Sequence, residues 1–242
     1  MGRYVVDAAQ RAGHESVVIS RQAGVDARSR EHLSHALTGV DVIVDTADPA
    51  TASRRKATAF FAEVTANLQS VGAARGVTRL VTLSIVGLER ASGYGYYAAK
   101  LNQEQVARAG PLPVSIVRAT QFFEFPTKIL SRLGVGPVAL VPVMRIQPVA
   151  ARSVGELLVE VATHPVVPAT IDVAGPREEG LVAMAREIVQ RSARRTVVVP
   201  LRLPGRTGAA MRRGALLATP GARVIGPTFA EWLASTEGDG AR

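Results

Sequence analysis

The sequence predicts an α/β fold in which a parallel sheet carries helices on both faces. Three observations lead there. Short β-branched runs alternate along the chain with stretches of helical periodicity. The runs are continuously apolar, as strands buried on both faces are. The residues able to do chemistry gather at the end of one run and in the helix after it, where open α/β sheets hold ligands.

The elements follow in order. Val5, Val6, Ala9 and Ala12 recur at roughly helical spacing, and Gly13 stops that helix. The run Val17-Val18-Ile19 then predicts a strand over 16–20. Further strands are expected at 41–47, 79–84, 113–119, 170–175 and 196–200. Helical patterns fall at 29–38, 55–75, 94–109, 152–163 and 178–191. Proline and glycine become dense over 134–149 and 199–208, which predicts short extended pieces and turns. A sheet-forming region, 1–119, and a smaller C-terminal lobe, 120–242, are the natural division, with 170–175 returning to the main sheet.

Composition narrows the function classes. The 242 residues are 47% hydrophobic and 20% charged, ordinary for a globular protein. The absence of cysteine excludes disulfide and thiol chemistry and fits a cytoplasmic protein. No apolar run approaches the roughly 18 residues of a membrane span, and charged residues interrupt any secretory signal at the start. The formal charge of +9 is scattered: "SRRKA", "RSARR" and "MRRGA" are short and hold no aromatic residues. That is a solvated basic surface and not a nucleic-acid site. His14, His32, His35 and His164 are too dispersed for a metal site.

The chemistry lies in "RLVTLSIVGLERASGYGYYAAKLNQEQ". Tyr96 and Lys100 are four apart at the start of a helix, so both project from one face. Ser84 ends the strand twelve residues earlier. A phenol titrates near 10 and needs a cation beside it to exchange a proton near neutral pH. Lys100 is the expected cation and can also bond a ribose, and Ser84 is the expected donor to a substrate carbonyl. Tyr97 points about 100° away and is expected to wall a pocket. The alternative is a surface Tyr and Lys with no joint role.

These residues resemble the short-chain dehydrogenase/reductase superfamily, specifically its atypical NmrA-like, NAD(P)H-binding members. "LVTLSIVGL…GYYAAKLNQEQ" resembles their Ser…Tyr-x-x-x-Lys block, "VSIVRATQFFEF" the segment after the next strand, and "IDVAGPREE" a late strand. The resemblance implies a Rossmann-like dinucleotide-binding domain over 1–119 and a substrate-binding lobe over 120–242. It implies Tyr96 as catalytic acid, Lys100 on the nicotinamide ribose and Ser84 orienting the carbonyl. Ala119 and Thr120 would approach the nicotinamide, Ala47 would lie near the cofactor, and Gln121 and Phe122 would line the substrate side. The implied activity is NAD(P)-dependent reduction of a small apolar carbonyl or quinone-like compound. The alternative is an NmrA-like NADP-binding sensor without turnover. A homodimer is compatible with either.

Arg21, directly after the second-strand run, accommodates a 2′-phosphate, where an acidic residue would favour NAD. NADP is therefore the expected cofactor and NAD the alternative. Asp26 either contacts the adenine or holds a turn. The family's first strand and most of its glycine turn have no counterpart here. Gly2 matches only the last glycine, which permits close helix–strand packing. The expectation is that in-frame DNA before Met1 encodes an apolar strand and two more glycines, the alternative being a real truncation with crippled cofactor binding. Without that strand, residues 16–20 and 41–47 must either pair directly or each expose an edge.

Overall fold

The computed structural model describes residues 1–49, 51, 53–192 and 196–235. Its elements begin with α1 (Gly2–Arg11), α2 (Arg30–Ala36), β1 (Val42–Asp45), α3 (Arg54–Ala74), β2 (Arg79–Ile85), α4 (Gly95–Ala109) and β3 (Val114–Ala119). They continue with α5 (Phe125–Arg132), β4 (Gly134–Val135), β5 (Val138–Pro142), β6 (Arg145–Ile146), α6 (Ala151–Thr163) and β7 (Thr170–Ala174). The last are β8 (Glu179–Gly180), α7 (Leu181–Arg191), β9 (Val197–Leu201), α8 (Gly205–Arg212), β10 (Arg223–Val224) and α9 (Phe229–Ala234). A parallel five-stranded sheet in the order β1-β2-β3-β7-β10 is flanked by helices, and β4-β5-β9 and β6-β8 form two small sheets. The basic run 191–195 extends beyond the described residues after Ser192. No helix among the described residues is long and apolar enough to cross a membrane.

The chain forms two compact units. The first comprises the described residues of 1–85, 94–118 and 154–171. The second comprises 86–93, 119–153 and the described residues from 172 onward.

The first unit is built on α3. Ser53 caps it by accepting the Lys56 N–H, and the spacing of Phe61, Val64, Leu68 and Val71 gives it a buried face. That face packs with Leu33 and Leu37, Ile43 of β1, Leu80 of β2, and Ala107 and Leu112. The approach is close: a Cβ on Gly72 would stand 3.0 Å from the side chains of both Ile43 and Leu112. Gln69 is a buried polar clamp at the end of α4. Its amide donates to the Ala107 carbonyl at 2.7 Å and accepts the Leu112 N–H at 2.7 Å. Asn67 donates to the Arg28 carbonyl at 3.0 Å, a packing role. Arg79 reaches from β2 to the carbonyls of Val161 and His164 past the end of α6 at 3.0 and 2.8 Å, a cation at a helix C-terminus.

Residues 16–20 correct the sequence reading. They form no strand: Val17 and Val18 are 57% and 47% exposed, while Ile19 packs on the core. A strand exists only with a ladder partner, and none of the described strands pairs with this stretch. β1 accordingly stands at the edge of the sheet and pairs with β2 alone, Val42 abreast of Arg79 and Asp45 abreast of Thr82.

In the second unit β5 runs parallel to β9, from Val138 beside Val197 to Pro142 beside Leu201. The strand expected over 196–200 therefore joins the small sheet. Phe123, Phe229 and Trp232 form an aromatic cluster with centroids 5.3–5.8 Å apart. A Thr228–Glu231 capping box opens α9 beneath it.

Candidate active site

Helix α4 carries the site of the first unit. Tyr97, Lys100, Glu104 and Ala107 recur at three- and four-residue spacing and are all buried, so its inward face is partly polar. Burying charged groups is costly unless each finds a partner, and Lys100 and Glu104 both do. Lys100 donates to the Leu83 carbonyl of β2 at 2.7 Å and to the Gln103 carboxamide oxygen, with its ammonium 4.8 Å from the centre of the Phe61 ring. Gln103 in turn donates to Asp45 Oδ2 at 2.8 Å, and Asp45 Oδ1 accepts the Ala47 N–H at 2.9 Å. Glu104 holds Arg118 of β3 bidentately, through Nε at 2.9 Å and Nη2 at 2.6 Å. One helix face thus ties together the carboxyl ends of β1, β2 and β3.

Ser84 belongs to this network. Its hydroxyl donates to Glu104 Oε1 at 2.6 Å and is buried. Its proton is therefore held inside the protein, whereas the expected orienting role needs that proton for a substrate.

Tyr96 takes a different partner. It lies edge-on to Phe61 and Tyr97, with centroids 5.8 and 6.4 Å away, and its hydroxyl hydrogen-bonds to Asp48. Burial pushes the phenol well above its ordinary value, and the Asp48 charge pushes it further the same way. Lys100 moves down to about 8 because burial outweighs the attraction of Asp45, Glu104 and Asp48. Burial also raises the Asp45 carboxyl, against Lys100 and its hydrogen bonds. The two residues of the Tyr-x-x-x-Lys pair share a helix face, but a carboxylate and not the ammonium meets the phenol. The expected cation is thus replaced by a carboxylate, which opposes proton exchange by the phenol and does not ease it.

Tyr97 is buried against Tyr94, centroid distance 5.0 Å, and burial raises its hydroxyl as well. Arg21 opens an exposed single turn, Arg21–Ala23, capped by Ser20. Asp26 accepts the Arg28 N–H at 3.0 Å, the turn-holding role. Ala47 is half-buried. Gly2 is exposed, and a Cβ there would meet only Thr46 Oγ1 at 3.7 Å, so packing in this structure does not demand a glycine.

The remaining expected residues are in the second unit. Ala119 is buried and its carbonyl accepts the Val86 N–H at 3.0 Å. Thr120 donates to the Gln147 carbonyl at 2.5 Å. Phe122 is half-buried and bridges Val149. Gln121 is only 8% exposed, yet its carboxamide nitrogen and oxygen both lack a partner among the described residues. A hollow of about 500 Å³ in this unit is lined by Arg90, Arg213, Gly214 and Leu217, and by none of the expected site residues.

Sequence reasoning missed Asp45, Asp48, Gln103 and Glu104. The available signal was spacing: Gln103 and Glu104 stand three and four residues after Lys100, on the same helix face.

No family model matches the chain, and no curated protein matches it. Solved structures do match. An NADPH-dependent quinone oxidoreductase from Escherichia coli, complexed with NADPH, superposes with a TM-score of 0.68 at 14% identity, over 96% of this chain and 95% of that one. A short-chain dehydrogenase/reductase superfamily protein from Agrobacterium tumefaciens with bound NAD gives 0.61 at 16% identity, over 96% and 87%. The triphenylmethane reductase of a Citrobacter species, complexed with NADP(H), gives 0.57 at 13% identity, over 81% and 76%. These likenesses show the fold of the chain, a Rossmann-like one.

Proposed function

We propose that this chain is an NADP-dependent oxidoreductase that reduces a small, apolar carbonyl or quinone-like compound. The observation that carries the reading is the place of the Tyr96 phenol, on α4 one turn before Lys100 and hydrogen-bonded to Asp48 in the residues that follow β1. The fold likeness to nicotinamide-dependent reductases supports it.

The residues present fit a dinucleotide in part. The exposed Arg21 guanidinium suits a 2′-phosphate. The orphaned, buried Gln121 carboxamide offers one donor and one acceptor to a ligand. Lys100 is the candidate for the nicotinamide ribose, and the backbone of Ala119 and Thr120 for the nicotinamide. When bound, the cofactor supplies a hydride. Tyr96 supplies the proton to the substrate oxygen, giving up its bond to Asp48, and regains a proton from solvent. Ser84 has no part in the scheme while Glu104 holds its proton.

A second reading is an NADP-binding sensor without turnover, and the commitment of the Ser84 hydroxyl to Glu104 favours it. One experiment separates the two. NADPH binding is measured by thermal shift, and NADPH consumption is followed with a panel of quinones and apolar aldehydes. Binding with consumption supports the oxidoreductase, binding alone supports the sensor, and failure to bind removes both.

A further inference from the structure

We propose that Asp45 and Gln103 are positioning residues for Lys100: the carboxylate orients the carboxamide, and the carboxamide holds the ammonium at the carboxyl end of β2. The inference deepens the oxidoreductase reading, which needs Lys100 fixed in that place.

Three observations carry it. The chain of bonds is continuous, from the Ala47 N–H through Asp45 Oδ1, Asp45 Oδ2 to the Gln103 amide nitrogen, and the Gln103 oxygen to Lys100. All three side chains are buried, so water does not substitute for a missing link. Its polarity also runs one way: a carboxylate accepts only and an ammonium donates only, which fixes the orientation of the carboxamide between them.

Glutamine is suited to this place for a chemical reason. An apolar residue there would leave both a buried carboxylate and a buried ammonium short of a partner. A glutamate would set a second carboxylate against Asp45. With glutamine there, both charged groups are hydrogen-bonded, the Asp45 charge favours the nearby ammonium, and the ammonium keeps its bond to the Leu83 carbonyl. The other groups facing Lys100 are Asp48 beyond β1, Glu104 on α4 and the Phe61 ring on α3. Glu104 is already paired with Arg118.

The chain has only three lysines, Lys56, Lys100 and Lys128, which makes the test direct. Carbon-13-labelled lysine gives three side-chain signals, and Lys100→Arg identifies the one in question. In the wild type the Lys100 signal is expected to titrate at about 8. Asp45→Asn and Gln103→Met each lower that midpoint by about one pH unit or more, because each removes a group that favours the ammonium. The double variant goes little further, since both act on one path. A cooperative thermal melt reports an intact fold for each variant, and Gln103→Leu takes the place of Gln103→Met if that variant does not fold. An unmoved midpoint in both variants overturns the proposal. A shift in Asp45→Asn alone also overturns it, because the carboxylate would then act directly and not through Gln103. The titration does not depend on turnover: absence of NADPH consumption in the wild type would defeat the oxidoreductase reading and leave this result standing. Where turnover is present, its alkaline limb moves to lower pH with the Lys100 midpoint.

Discussion

The two halves of α4 differ in how firmly their polar groups are held. In the middle of the helix Lys100, Gln103 and Glu104 meet Leu83, Asp45, Ser84 and Arg118 in bonds of 2.9 Å or less. In the first turn Tyr94, Tyr96 and Tyr97 pack edge to face, Tyr94 is 47% exposed, and the Tyr96 hydroxyl meets the Asp48 carboxylate. A complete buried network fixes geometry and resists change. The first turn can exchange a partner without breaking such a network. The difference places the closed network in the middle of the helix, and the proposed reaction puts proton exchange at its start.

The largest effect falls on the locked half. Glu104→Ala strips Ser84 and Arg118 of their partner and is expected to cost about 3–5 kcal/mol of stability in chemical denaturation. A cost under about 1 kcal/mol would mean that the network does not hold the strand ends.

The next effect is one of pH. The folded value of Lys100, about 8, lies below its ordinary 10.5. Between those values the unfolded chain binds more protons, so this residue makes stability rise with pH across that window. Below it the folded state bears the full penalty of a buried ammonium. Lys100→Met should therefore flatten the alkaline stability profile, removing a rise of up to about 3 kcal/mol. The raised Asp45 acts in the opposite sense on the acid side, where its contribution is lost as pH rises through its folded value. An unchanged alkaline slope in Lys100→Met would place the ammonium in solvent.

The smallest effect lies outside both halves. Val17→Lys should change stability by no more than about 0.5 kcal/mol, because the side chain is exposed and its stretch has no ladder. A loss of about 2 kcal/mol or more would mean that residues 16–20 form a buried strand after all.

Much of this was legible in the sequence. The continuous apolar runs that became β1, β2, β3 and β7 have the composition of strands buried in a parallel sheet, and the Tyr96–Lys100 spacing marked α4. Residues 16–20 misled because Val17-Val18-Ile19 has strand composition, while a strand is made by its neighbour. The run at 197–201 has the same composition, yet pairs with β5 in the small sheet. β10, at Arg223–Val224, is too short to leave a pattern. Within the site, Asp45, Gln103 and Glu104 went unassigned because a polar side chain in a sequence carries no mark of burial. Asp48 was missed because hydrogen-bonding the phenol depends on how the loop after β1 folds.

Single-turnover NADPH oxidation in Tyr96→Phe, with NADPH affinity measured in parallel, tests the division of α4 most directly. The account predicts a rate at least about 100-fold lower with affinity unchanged, since only the proton donor is lost. An undiminished rate would show that the proton comes from elsewhere, and would leave the first turn of α4 with no chemical role.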